Sequence, residues 1–261
     1  MPTNSLPRLI PRPEGAFAAA PRPVRIARIV QENYRIRSYL LAETMPHAYP
    51  GQFVMAWLPG IGEKPFSMAG NAPIKLTLAA VGKFSEAVHT LDEGETLWIR
   101  GPFGRGFSIE GERPLLVGGG YGAAPIAWLA ETLWRRGKQP VVVLGGRTAD
   151  DIFGTEPFDR MGIPVVVTTE DGSQGEAGRV TAPVERLLAT EVADSLCAVG
   201  PHGMLKALEA AALAHRIPAQ LSWEAFMGCA IGLCGMCEHE DGSLLCVEGP
   251  VLDVATRNEM R

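Results

Sequence analysis

The chain has 261 residues, 46% of them hydrophobic, with 24 basic against 29 acidic side chains. That length and apolar content suffice for two domains and a small third module, and they exclude disorder over most of the chain. The formal net charge of −5 leaves no basic face to neutralise phosphates, which argues against nucleic acid as a partner. No apolar run reaches the roughly 18 residues of a membrane span, and no signal-peptide core stands near the start, so a cytoplasmic protein off the membrane is expected.

Residues 1–21 are rich in Pro and Ala and read as a flexible or extended N-terminal arm. Short alternations of apolar and polar residues then recur at 24–30, 34–40, 52–58, 75–81 and 96–100, separated by turn residues such as Pro50-Gly51. Strands this short and this regularly spaced predict an antiparallel β-barrel over residues 22–110. Two intervening loops carry a chemical hint. Lys64-Pro65-Phe66-Ser67 sets a cation, a fixed turn, an aromatic ring and a hydroxyl in a row, a set suited to a flavin and its phosphates. Gly82-Lys83-Phe84-Ser85 opens a short helix expected at 85–91, where backbone N–H groups and the Lys83 charge favour an anion. Either stretch alone reads equally as an ordinary turn with a solvated lysine. Gly101-Pro102-Phe103-Gly104 then breaks the pattern as a boundary turn.

Residues 111–222 alternate strand with helix. Pro114-Leu115-Leu116-Val117 reads as a buried strand, followed by the turn Gly118-Gly119-Gly120-Tyr121-Gly122 and a helix over 126–136 with Pro125 in its first turn. Further buried strands are expected at 141–147, 164–169 and 195–199, with helices at 181–190 and 205–215; Gly200-Pro201 ends the last of these strands. Continuous Val/Leu runs indicate a doubly wound parallel sheet, an α/β domain with ligands at the strand C-termini. Gly118, Gly119, Gly120, Gly122, Gly200 and Pro201 stand where a dinucleotide phosphate approaches such a sheet, although the run is not G-x-G-x-x-G. Cys197, inside a strand, reads as a buried core residue.

Residues 223–261 hold the other four cysteines, Cys229, Cys234, Cys237 and Cys246, spaced C-x4-C-x2-C-x8-C. The first two gaps match the plant-type ligand pattern of a [2Fe–2S] cluster, and the interleaved glycines let the backbone wrap closely around the thiolates. Asp241-Gly242 signals a two-residue hairpin loop. That register pairs Glu240 with Ser243, His239 with Leu244 and Glu238 with Leu245, and places Cys237 opposite Cys246. A four-thiolate zinc site and a Cys237–Cys246 disulfide are the competing readings.

A barrel, a dinucleotide domain and a cysteine segment in this order resemble the electron-transfer subunit of NAD-dependent dihydroorotate dehydrogenase, within the wider ferredoxin-reductase-like flavoproteins. The resemblance spans residues 23–254. It is carried by Pro50-Gly51-Gln52-Phe53, Lys64-Pro65-Phe66-Ser67, Gly101-Pro102-Phe103-Gly104, the turn at 118–125, and Met227-Gly228-Cys229 through Cys237, with Cys246-Val247-Glu248-Gly249-Pro250 behind it. It implies FAD between Lys64–Ser67 and Gly82–Ser85, NAD at the glycine turns, and the four cysteines as ligands of a [2Fe–2S] cluster. It also implies an FMN-containing catalytic subunit as partner in a heterotetramer, oxidising dihydroorotate in pyrimidine biosynthesis. Electrons would run from that FMN through the cluster and FAD to NAD, and no acid–base residue of this chain is assigned to a substrate carbon. The chain departs from the family pattern with Lys64 in place of an arginine, Val199 in place of a cysteine, and a short last cysteine gap. The alternatives are an NAD(P)H-linked subunit of a hydrogenase or ferredoxin transhydrogenase built on the same plan, and, in another class, a zinc-stabilised binding protein.

Overall fold

Period-two alternation between Val24 and Ile99 closes into a six-stranded antiparallel barrel in the computed structural model, which describes residues 20–108 and 111–254. The arm expected at 1–21 therefore lies outside the described residues, except for Ala20 and Pro21. The strands are β1 (Arg22–Gln31), β2 (Ile36–Leu41), β3 (Phe53–Leu58), β4 (Gly62–Asn71), β5 (Ile74–Ala79) and, after helix α1 (Lys83–Val88), β6 (Thr96–Phe103). Around the barrel they run β1-β2-β5-β4-β3-β6. Ile26, Tyr39, Val54, Ala56, Leu76, Leu97 and Ile99 fill its interior, and Phe84 and Val88 of α1 pack onto the same core.

The stretch Lys64–Ser67, expected as a loop, is the middle of β4: Lys64 pairs with Ala56 and Ser67 with Phe53. Pro65 lowers the strand signal because it cannot donate to a ladder. It is tolerated here because β5 pairs only with Met68, Gly70 and Asn71, so the earlier half of β4 has no strand on its other side.

The second unit is a seven-stranded sheet. It comprises β7 (Pro114–Gly119), β8 (Val141–Gly146), β9 (Val165–Thr169), β10 (Glu176–Ala177), β11 (Ser195–Val199), β12 (Ala219–Ser222) and β13 (Val251–Asp253), in the order β10-β9-β8-β7-β11-β12-β13. All neighbours are parallel except the β12/β13 pair at the edge. The helices are α2 (Ala123–Arg135), α3 (Glu156–Met161), α4 (Thr181–Ala189) and α5 (His202–His215). Successive residues of a strand bury on opposite faces: Leu116 packs with Ile126, Leu129 and Leu133 of α2, whereas Leu115 and Val117 pack with Leu205 and Leu208 of α5. The chain leaves β7 towards β8 and returns on the other side as β11, so the topological switch point lies between β7 and β11.

Strand β12 stops at Ser222. From there the cysteine segment leaves the sheet and returns as β13, with Ser222 opposite Val251 and Gln220 opposite Asp253. Both ends of the segment are thus tied to one sheet edge. Its core residues Met227, Cys237, Leu245 and Cys246 join Trp223 and the outward-facing barrel residues Phe53, Met55 and Phe103 in one apolar cluster.

Candidate functional site: one cavity and a cysteine loop

A cavity of about 580 Å³ opens where the three parts of the chain meet. That size fits one cofactor ring system with a partner ring beside it. One wall is the barrel: Lys64, Pro65, Phe66 and Ser67 of β4, with Gly82, Lys83, Phe84 and Ser85 at the start of α1. The second wall is the switch point, with Tyr121, Gly122, Pro125 and Val199. The third is the run from Trp223 to Met227, just before Cys229. The Phe66 and Phe84 rings stack at 5.8 Å and an interplanar angle of 29°. Ser85 Oγ accepts the N–H groups of Val81 and Gly82 at 3.1 and 3.2 Å and donates to the Gly82 carbonyl at 3.0 Å, so this hydroxyl braces the turn. The Lys64 ammonium lies 4.2 Å from the centre of the Phe226 ring, a cation–π contact from the barrel to the cysteine segment.

Gly118, Gly119, Gly122 and Gly200 pack closely beside the cavity. A methyl group on Gly122 would sit 2.2 Å from the Val199 carbonyl oxygen; on Gly118, 3.0 Å from Ala123 Cα. Gly119 and Gly200 have no room because Met204 crowds both, and Pro201 also presses on Gly119. Gly120, with φ +55°, has open space. Gly118, Gly119, Gly120, Gly200 and Pro201 therefore shape the strand ends around the switch point, and Gly122 reaches the cavity itself.

Sequence reading missed one pair in this cavity. The Tyr121 hydroxyl, on the glycine turn, donates to Glu224 Oε2 at 3.1 Å across the mouth. Burial, and the Glu224 charge beside it, push the tyrosine up to about 12. The surrounding protein likewise raises the Glu224 carboxyl by desolvation, against the lowering effect of the tyrosine bond, although the residue keeps an exposed edge.

The cysteine loop brings all four predicted ligands together. Leu233, Cys234 and Ile231 direct their N–H groups at Cys229 Sγ, at 3.2, 3.4 and 3.5 Å, and Gly232 directs its N–H at Cys246 Sγ at 3.3 Å. Ala230 (φ +61°), Gly232 (φ +78°) and Gly235 (φ +71°) turn the backbone inward. Burial raises the Cys229 thiol, but these backbone N–H groups more than reverse it and bring it to about 6. Cys246 is pushed up to about 12 by burial and by its neighbours Cys237 and Cys229.

The expected hairpin is offset by one residue. Glu238 bridges to Leu244, His239 N–H bonds to the Ser243 carbonyl at 2.8 Å, and Gly242 N–H closes the turn on the His239 carbonyl at 2.9 Å. The loop thus spans 240–242 with Gly242 at φ +86°, a three-residue hairpin whose glycine takes the left-handed position. Cys237 faces Leu245 instead of Cys246, but Cys246 N–H still lies 3.5 Å from Cys237 Sγ.

The donor set fits a two-iron cluster. Cys229 neighbours Cys234 and Cys246, and Cys246 also neighbours Cys237. A zinc site needs four donors on one centre, whereas the plant-type cluster is held by four thiolates spread over its two irons. Cys197 is 3% exposed, and burial pushes its thiol up to about 12, an inert strand residue.

A family model described as the iron–sulfur cluster binding domain of dihydroorotate dehydrogenase B matches residues 224–256. A protein of Methanocaldococcus jannaschii named probable dihydroorotate dehydrogenase B (NAD(+)), electron transfer subunit, is 35% identical over 228 residues, 87% of this chain and 87% of its own length. Its namesake in Methanothermobacter thermautotrophicus is 38% identical over 238 residues, 88% of each chain. Among solved structures, one described as NADH-dependent reduced ferredoxin–NADP oxidoreductase superposes with a TM-score of 0.81 at 29% identity, covering 89% of this chain and 88% of that one. The cytochrome b5 reductase domain of Ulva prolifera nitrate reductase, at 13% identity and a TM-score of 0.62, shares the fold. Barrel, switch-point sheet and cysteine module together define a ferredoxin-reductase-like oxidoreductase component. Within that class, the chain belongs to the family of electron-transfer subunits of dihydroorotate dehydrogenase B. No helix among the described residues is long and apolar enough to cross a membrane.

Proposed function

We propose that this subunit links an FMN-containing dihydroorotate dehydrogenase catalytic subunit to NAD(H) through a [2Fe–2S] cluster and FAD. We assign residues 22–110 to FAD, 111–222 to NAD and 223–261 to the cluster, with Cys229, Cys234, Cys237 and Cys246 as its ligands. One observation carries this reading: a single cavity is walled by the barrel, by the switch-point turn and by the segment that ends at Cys229. Nicotinamide exchanges two electrons as hydride and an iron–sulfur cluster exchanges one, so a flavin, which does both, must stand between them.

The chain's own residues then have distinct tasks. Phe66 and Phe84 offer apolar ring faces, while Lys64 and Lys83 supply positive charge at the barrel rim for phosphate. The Tyr121 hydroxyl, donating to Glu224 Oε2, narrows the side facing the dinucleotide domain. Trp223, Met227 and Pro250 keep water from the floor between cavity and cysteine loop. The partner seats on the apolar rim around Cys234, where Leu233 is 80% and Met236 56% exposed, and the assembly is a heterotetramer. Thiolate ligands suit a reducing cytoplasm.

The test is a visible spectrum of anaerobically purified protein, with iron, sulfide, zinc and flavin quantified on the same sample. About two irons and one FAD per chain are expected from the ligand set; zinc without flavin overturns the reading. The 29% identity to the ferredoxin–NADP oxidoreductase chain favours a transhydrogenase-type assembly as the second reading. Co-purification with an FMN-binding dehydrogenase, as against a second flavoprotein acting on ferredoxin, separates the two.

A further inference from the structure

Arg100 and Asp151 are the two buried charged side chains among the described residues, and Arg100 is the one beside the cysteine loop. It sits on β6 on the outer face of the barrel, 8% exposed. Its guanidinium is fully engaged. Nε and Nη2 form a two-pronged pair with the Glu63 carboxylate at 2.7 and 2.8 Å. Nη1 donates to the Cys229 carbonyl at 2.9 Å, and Nη2 also reaches the Gly228 carbonyl at 3.4 Å. Phe103 covers it, with its ring centre 5.2 Å from Cζ.

From this geometry we propose that Arg100, aimed by Glu63, is a positioning residue of the barrel that seats the first cysteine ligand and raises the reduction potential of the group held by the four thiolates. Two physical arguments support it. First, the planar fork holds the backbone carbonyls of residues 228 and 229 at a fixed angle, which a flexible ammonium cannot do. The carbonyl of Cys229 is clamped from the barrel while its thiol is cradled by N–H groups of its own loop. Second, a guanidinium only 8% exposed is weakly screened, so its positive charge stabilises electron density added to the group that Cys229 ligates. Glu63 offsets part of that charge and fixes its direction. A buried ion pair is seldom needed for stability, since apolar residues of similar volume do as well or better; a positional and electrostatic role accounts for its presence here. This inference rests on the four-cysteine cluster assignment above.

The test uses the holoprotein and two variants of opposite charge effect, Arg100→Gln and Glu63→Gln, with Arg100→Lys as a third. Iron and sulfide are quantified in each, and the potential is titrated by electron paramagnetic resonance. Arg100→Gln is expected to lower the potential and Glu63→Gln to raise it. Arg100→Lys is expected to hold the potential near that of the parent while releasing iron to a chelator roughly ten- to a hundredfold faster, because the charge is kept and the fork is lost. If Arg100→Gln fails to load iron, the Glu63→Gln and Arg100→Lys results decide. Unmoved potentials at full iron content, or shifts of both glutamine variants in one direction, overturn the proposal. A parent protein without iron and sulfide overturns the cluster assignment instead.

Discussion

Cys229 and Cys246 belong to one loop, yet their thiols are pushed in opposite directions, to about 6 and about 12. The difference is one of partners: three backbone N–H groups stabilise a thiolate at Cys229, whereas Cys246 is buried and has other thiols for company. Cys246→Ser is expected to purify with almost no iron and unchanged FAD content, because Lys64 to Ser67, proposed to face the flavin, stand on a separate strand. Cys197→Ser is the control, with iron content expected at the parent level, since Cys197 lies within β11. Metal analysis and flavin absorbance on the same preparations check both.

At the scale of elements, the glycine turn after β7 is governed by packing as much as by ligand approach. Gly122→Ala forces its methyl against the Val199 carbonyl and should cost about 3 kcal/mol, with loss of the Tyr121–Glu224 bridge. Gly120→Ala meets no atom and should cost only about 1 kcal/mol, from the left-handed backbone at φ +55°. Thermal unfolding of the two variants, alongside NAD binding, tests this ranking; equal losses would mean that the close approach of the turn to β11 is not what requires glycine. Strand β4 teaches a related lesson. Its Lys-Pro-Phe-Ser run has turn composition, yet it forms a strand because β3 offers a full ladder on one side while the other side is left to the cavity. The same half-unpaired edge that makes the strand hard to recognise brings its residues to the cavity.

At the scale of the whole molecule, the barrel and the sheet are fastened by a buried carboxylate. Asp151, after β8, is 4% exposed and accepts from Arg35 Nη2 at 2.6 Å and from the Tyr34 hydroxyl at 3.1 Å, both on the β1–β2 turn. Burial alone would raise this carboxyl; the Arg35 charge, the Tyr34 bond and the Arg147 N–H outweigh it and hold it below the usual carboxylate range. A lowered carboxyl contributes stability that is complete above its unfolded pKa of about 4 and disappears as pH falls through the lower folded value. Asp151→Asn should therefore cost about 2 kcal/mol at neutral pH. The gap to the parent protein should close as the pH drops below about 4, as followed by denaturant melts across that range. A gap independent of pH would show that the contact works through shape and not charge. In the cysteine segment, Leu233→Asp at an exposed position should abolish co-purification of the catalytic subunit while leaving iron and FAD contents unchanged.

Much of this architecture was legible along the chain because it is written in local periods. Alternation marked the barrel strands, continuous Val/Leu runs marked the parallel sheet, and the spacing of Cys229, Cys234, Cys237 and Cys246 picked out four thiols that one loop brings together. The offset of the hairpin was not legible, because Asp241-Gly242 supports two loop lengths and the choice falls to the packing of Leu245 in the core beneath it. Nor were the contacts that organise the site. Tyr121 meets Glu224 across 103 residues of sequence, Arg100 meets Cys229 across 129, and Arg35 meets Asp151 across 116. A polar residue carries no periodic sign of a partner that far away. The sequence by itself determined most of the strands and helices and which thiols gather; only the tertiary structure decided which charges face them, because burial, and with it the strength of every charge, exists only once distant segments have closed over one another.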